Sequence, residues 1–89
     1  MMRLKVEEVG KGLHPSEAVV AVKTADGHLE RLVISRRSIQ EGTIPVGWPL
    51  GQRDDLVLIE LPRETQTGAW RVWVKRDQLV DPPEERMRA

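Results

Sequence analysis

Cysteine, phenylalanine and tyrosine are absent from this sequence of 89 residues. Without cysteine the chain can form no disulfide bond, no thiolate nucleophile and no cysteine-ligated zinc or iron–sulfur centre. Small secreted domains often depend on disulfides, so this absence favours a cytoplasmic location. Three tryptophans supply all of the aromatic side chains. The core must therefore be built mainly from valine, leucine and isoleucine.

The chain also has no formal net charge, because 14 basic residues balance 14 acidic ones. A neutral chain has no overall attraction to nucleic acid or to an anionic membrane, although a local basic patch can still form. No apolar run approaches the roughly 20 residues that span a bilayer. The charged N-terminal segment has no apolar stretch of signal-peptide length. The sequence therefore predicts a protein that has no membrane partner.

Short apolar runs separated by turn signals follow one another along the chain, and their lengths are typical of β-strands. These runs cover residues 2–9, 17–24, 28–34, 56–61 and 69–75. They predict an all-β domain over residues 1–80, a small five-stranded antiparallel barrel or curled sheet that is SH3-like in outline. One short helical turn is expected near residues 36–41. Pro82, Pro83 and the charges that follow predict a disordered tail over residues 81–89.

The Asp26-Gly27 pair is the sharpest local signal in the chain. Asp-Gly suits a two-residue type I′ turn, in which both central residues need a positive φ. Counting outward from such a turn places Lys23 opposite Glu30 and Ala21 opposite Leu32. This register predicts a β-hairpin whose cross-strand pairs match in charge and polarity.

Alternation within the strands divides the apolar side chains between two faces. On the last strand, one face carries Trp70, Val72 and Val74, and we expect this face to point into the interior. The full set of predicted core residues is Leu4, Val6, Val20, Val22, Val57, Ile59, Trp70, Val72 and Val74. Leu56 and Leu58 are nearly as good candidates as Val57 and Ile59, since the fourth run is apolar on both faces.

Residues that could carry catalysis are few. His14 and His28 are the two side chains that titrate near neutral pH without help from their surroundings. Glu7 and Glu8 are adjacent, so they point to opposite faces of a strand and cannot act as a pair. The sequence contains no nucleophile elbow, metalloprotease motif or phosphate-binding loop. We therefore expect no enzymatic activity, no cofactor and no metal site.

Arg71, Trp73 and Lys75 lie on the face of the last strand that is not needed for the core. An aromatic ring flanked by two cations can stack on a flat group while the cations pair with carboxylate or phosphate. The alternative is that Trp73 covers a secondary apolar cluster. Trp48, held between glycines and prolines, is either presented for recognition or plugs an open end of the barrel.

Two kinds of partner remain open for a small non-enzymatic binding module. The first is another protein, or a second copy of the chain, because tryptophan and arginine often anchor such interfaces. The alternative is nucleic acid, bound through a local face of arginine, lysine and tryptophan. The residues considered for binding are Trp48, Arg71, Trp73, Lys75, Arg36 and Arg37. A single continuous basic face would favour nucleic acid, whereas scattered cations around an apolar patch would favour a protein.

Overall fold

The structure is a computed structural model, and it describes residues 2–80. This part of the chain is all-β, with two short 3₁₀ turns, Arg36–Ser38 and Arg76–Gln78. The predicted tail over residues 81–89 lies outside the described residues. The nine strands are β1 (Met2–Lys5), β2 (Glu7–Lys11), β3 (Glu17–Lys23), β4 (Leu29–Ser35), β5 (Thr43–Val46), β6 (Gly51–Arg53), β7 (Leu56–Glu60), β8 (Arg71–Lys75) and β9 (Leu79–Val80).

The strands form three separate antiparallel sheets of three strands each, in the orders β5-β1-β9, β2-β3-β4 and β6-β7-β8. The expected five-stranded antiparallel barrel or curled sheet, SH3-like in outline, is therefore wrong. Across residues 2–80 no continuous ladder joins one sheet to the next. Isolated backbone hydrogen bonds do so instead, such as the one from Ala25 N–H to the Trp73 carbonyl at 2.8 Å.

The break at Val6 explains part of this difference. The sequence predicts one strand over residues 2–9, but its two halves belong to different sheets. Val6 lies between β1 and β2, and its N–H donates to the Gly42 carbonyl at 2.9 Å instead of joining a ladder. Before Val6 the chain pairs with β5 and β9, and after it the chain pairs with β3. Alternation of side chains continues through such a break, so the pattern does not reveal it.

One apolar core lies among the three sheets. Val20, Val22 and Leu32 from the second sheet meet Leu4 and Ile44 from the first, together with side chains from the third sheet. The third sheet contributes Val57, Ile59, Val72 and Val74, and Leu61 follows directly after β7. Seven of the nine predicted core residues are buried, namely Leu4, Val20, Val22, Val57, Ile59, Val72 and Val74. Val6 is half-buried against this core.

Trp70 departs from the prediction, since about half of its surface is exposed. Its backbone carbonyl accepts a hydrogen bond from Leu61 N–H, just before β8 begins. Alternation correctly assigns Trp70 to the same side as Val72 and Val74. At this end of the sheet, however, no further strand covers the ring. The indole instead turns to Glu64, and its Nε1 donates to the carboxylate at 2.8 Å.

The hairpin between β3 and β4 has a three-residue loop, not the predicted two-residue turn. Thr24 and His28 form the last pair, because Thr24 N–H donates to the His28 carbonyl at 2.8 Å. Lys23 therefore faces Leu29, and Ala21 faces Arg31. Gly27 has the expected positive φ, +89°, which suits a turn followed by a glycine bulge. Two-residue turns occur elsewhere in residues 2–80, at Asp54 and Asp55 between paired Arg53 and Leu56, and at Glu41 and Gly42 between bridged Gln40 and Thr43.

Candidate binding surface

The outer face of the third sheet brings three of the predicted binding residues together. Arg71, Trp73 and Lys75 alternate with the buried side chains of β8, so they share the face that points away from the core. The register places Leu58 opposite Trp73 and Glu60 opposite Arg71. A half-buried tryptophan on an apolar neighbour, between charged side chains, therefore occupies the middle of this face.

The Trp73 ring lies across the sheet toward β6. A Cβ added to Gly51 would be 3.8 Å from Cη2 of the ring, which is van der Waals contact, so the indole lies directly beside this position of β6. The guanidinium carbon of Arg53 lies 5.7 Å from the ring centroid, within the range of a cation–π contact. Arg53 was not among the residues predicted from the sequence. Its position follows from the pairing of β6 with β7, which strand alternation alone does not give.

A cleft of about 490 Å³, here called the Trp73 cleft, separates this face from the tip of the β3–β4 hairpin. The sheet side is lined by Arg53, Leu56, Arg71 and Trp73. The hairpin side is lined by Asp26, His28 and Glu30, among others. The hydrogen bond from Ala25 to Trp73 ties the two sides together. The cleft is therefore preformed in the folded protein. Its volume is large enough to hold a small molecule or a side chain of a partner.

The carboxylates on the hairpin side accept hydrogen bonds from neighbouring threonine side chains. The Thr24 hydroxyl donates to Asp26, and this bond lowers the pKa of the Asp26 carboxyl. Thr67 and Thr65 donate to Oε1 of Glu30 at 2.6 and 2.7 Å. These two hydroxyls lower the pKa of the Glu30 carboxyl. Both groups are therefore charged at neutral pH, with much of their accepting capacity already used.

His28 forms a pair with Asp26, with Nδ1 and Oδ2 at 3.0 Å. The side chains are 78% and 66% exposed, so the pair lies in open water at the rim of the cleft. Enzymes generally shield such pairs from solvent. Glu30 accepts from the two threonines and is not paired with His28. His14 lies apart from this cleft and lines another cavity, beside Leu13 and Arg36.

A second cavity, here called the Trp70 groove, opens at the end of the third sheet and measures about 480 Å³. Its lining is mostly apolar and consists of Pro45, Val46, Gly47, Glu60, Leu61, Pro62 and Trp70. Trp48 and Leu50 follow Gly47 along the chain. The exposed fractions are 61% for Trp48, 52% for Leu50 and 51% for Trp70. Trp48 is thus neither buried nor a plug, and Trp70 is an exposed residue that core prediction missed.

An ion pair lies between the two cavities. Arg71 Nε is 3.3 Å from Glu60 Oε2, and Arg71 lines the Trp73 cleft while Glu60 lines the Trp70 groove. The cavities therefore adjoin along β8. Trp70 immediately precedes β8, and Trp73 lies within it.

The predicted cations do not form one basic face. Arg36 follows β4 and binds Glu8 at 3.0 Å and the Pro15 carbonyl at 3.1 Å. The seven residues of β4 separate it from His28 in the Trp73 cleft, a distance of about 26 Å in an extended strand. Arg37 is exposed in the adjoining 3₁₀ turn. Lys75 lines a small cavity with Asp55 and Asp77. The structure thus brings Arg71, Trp73 and Lys75 onto one sheet, and it places Arg36 and Arg37 elsewhere.

Neither a metal site nor a membrane-spanning helix is found in the described part of the chain. Among residues 2–80, no three histidine, aspartate or glutamate side chains converge as metal ligands would. No helix there has the length and apolar character needed to cross a bilayer. No protein-family model, curated protein sequence or solved structure matches the chain.

Proposed function

We propose that this protein is a non-enzymatic module that binds another protein through the Trp70 groove and the Trp73 cleft beside it. The observation that carries the proposal is the exposure of three large apolar side chains: Trp70, which lines the groove, and Trp48 and Leu50, which follow the lining residue Gly47 along the chain. Exposed tryptophan beside a preformed apolar cavity is typical of protein interfaces. Single exposed apolar residues are common, but a group of this size on so small a chain calls for a partner.

Nucleic acid is the weaker candidate. One continuous basic face would be the strongest support for nucleic-acid binding, because affinity for the phosphate backbone grows with the number of phosphates neutralised. Arg36 and Arg71 are instead bound to Glu8 and Glu60, and they line different cavities. The Trp73 cleft also contains Asp26 and Glu30, two carboxylates that would repel phosphate.

Site-specific photocrosslinking tests the proposal. A photoreactive amino acid replaces Leu50 beside the groove, and in a matched variant it replaces Leu13. Leu13 is 96% exposed but lies in the loop before β3, away from the groove. We expect the Leu50 probe, and not the Leu13 probe, to capture one defined protein in cells.

The captured protein is then purified and its affinity for the module is measured by calorimetry. If the tryptophans are hot spots, Trp48→Ala and Trp70→Ala together should weaken binding by about 2 kcal/mol or more, a factor of about 30. An unchanged affinity would mean that the groove is not the interface. A crosslink to a second copy of the chain, with dimers seen by sedimentation, would make the partner the protein itself.

A further inference from the structure

We infer that residues 82–87 of this chain occupy the Trp70 groove when no partner is bound, so that the protein covers its own binding site. This inference rests on the proposed function and adds the regulation of that site. It follows from the position at which β9 ends, the length of chain that follows, and the side chains of that segment.

The register of the first sheet places the end of β9 near the groove. Val80 of β9 pairs with Arg3 of β1, and Arg3 pairs in turn with Pro45 of β5. These three residues form one row across the sheet, so two strand spacings of about 4.8 Å separate Val80 from Pro45. Pro45 lines the Trp70 groove. β9 therefore ends about 10 Å from the wall of the groove.

The direction of β9 also favours the groove. β5 and β9 are both antiparallel to β1, so they run parallel to each other. After Pro45, the chain continues through Val46 to Gly47, and both of these residues line the groove. Val80 lies in the same row as Pro45, so the residues after Val80 follow from the end of the sheet at which the groove opens.

The segment is long enough to reach the groove and to fill it. Nine residues, 81–89, follow β9 in the sequence. At about 3.1 Å per residue in a polyproline II conformation, roughly three or four of them cover the distance to Pro45. The next residues, up to Met87, are then available to lie within the groove.

The side chains of the segment suit the groove. Pro82 and Pro83 favour the polyproline II conformation, and proline-rich segments bind grooves that contain exposed aromatic rings. Trp70, about half exposed, provides such a ring. Met87 is the one large apolar side chain of the segment, and methionine fills irregular cavities well. Because the segment is tethered, its effective concentration is on the order of millimolar, so a contact of modest affinity covers the groove.

Nitrogen-15 spectra of the full chain test the inference. They contain three indole N–H resonances, one for each tryptophan, which single Trp→Phe variants assign. A triple variant with Pro82→Gly, Pro83→Gly and Met87→Gly removes the docking side chains and keeps the length of the segment. We expect the triple variant to shift the Trp70 resonance and to leave the Trp73 resonance, on the other face of the third sheet, unchanged.

A matched control and a free peptide complete the test. Arg88→Gly, which lies beyond the docking residues, should leave the Trp70 resonance unchanged. The capped peptide Ac-Pro-Pro-Glu-Glu-Arg-Met-NH2 has the sequence of residues 82–87, and it should shift the Trp70 resonance of the triple variant saturably. It should bind the wild-type chain at least about threefold more weakly, because there the tethered segment already occupies the groove. Thermal unfolding of each variant confirms that the fold is retained.

Several outcomes would overturn the inference. One is the same Trp70 resonance in the wild type and the triple variant, and another is equal affinity of the free peptide for the two proteins. A Trp70 shift that depends on protein concentration would place the segment in the groove of a second copy, which also contradicts docking within one chain. Failure of the Leu50 crosslink is a separate result. It would count against the proposed function and would leave these spectra unaffected.

Discussion

At the scale of single residues, the contribution of a side chain to stability depends on how deeply it is buried as well as on which face of the sheet it occupies. Trp70 and Ile59 are both on the core side of the third sheet, yet Ile59 is fully buried and Trp70 is half exposed. Ile59→Ala should lower the free energy of unfolding by about 2–5 kcal/mol, since it leaves a cavity. Trp70→Ala should cost only about 1 kcal/mol. Urea unfolding of the two variants measures both values, and equal losses would place Trp70 in the core.

Glu30 makes the fold sensitive to acid. Hydroxyls of Thr67 and Thr65 lower the pKa of the Glu30 carboxyl below its ordinary value of 4.5. The charged form is therefore the one that the fold favours. This contribution to stability is complete above the ordinary pKa and is lost as the pH falls through the lowered pKa.

We expect the melting temperature of the wild-type protein to decline as the pH drops from about 5 to about 3. Glu30→Gln should start lower at pH 6 and decline less over that range. Glu7→Gln, an exposed residue of β2, provides the control and should follow the wild-type curve. Parallel curves for all three proteins would show that the threonine bonds add nothing to stability.

At the scale of the elements, the β3–β4 hairpin depends on Gly27. Its φ of +89° strains any residue with a side chain, although a Cβ there would meet no atom within 4 Å. Gly27→Val should therefore destabilise the protein by about 1–2 kcal/mol through backbone strain alone. Gly47→Val is a matched control, since its Cβ also points into open space and its φ is not in the left-handed region. Denaturation that affects both variants equally would contradict this account of the loop.

Local pattern predicts strands well but does not predict their pairing. Alternation located β3, β4, β7 and β8 and assigned the correct faces to Val72 and Val74. It could not show that Thr24 pairs with His28, because this depends on hydroxyl and backbone bonds at the tip of the hairpin. It also could not show that β1 pairs with β5, a contact 40 residues distant between Leu4 and Ile44.

The binding surface was predictable to the same extent. Strand alternation places Arg71, Trp73 and Lys75 on one face, and the structure agrees. Arg53 and Leu56 join Trp73 only through the ladder of the third sheet. Trp70 was assigned to the wrong environment because periodicity contains no information about which end of a sheet is left uncovered.

At the scale of the whole molecule, three sheets share one core although no continuous ladder joins them within residues 2–80. All three tryptophans lie in or beside the third sheet, so fluorescence reports on that sheet, whereas far-ultraviolet circular dichroism reports on all of the strands. Because the core is shared, we expect the two signals to give the same urea midpoint, as in two-state unfolding. Separate midpoints would show that the third sheet unfolds as an independent unit.

The register shift in β2 bears on how the protein behaves in crowded solution. β2 is the outer strand of its sheet, and all five of its residues are exposed. An outer strand with a regular backbone can recruit the same strand of a neighbouring molecule and begin a fibril. The irregularity between Glu8 and Gly10 interrupts the row of N–H and C=O groups, and Lys11 adds a charge. This strand is therefore a poor template for fibril growth, even at high protein concentration.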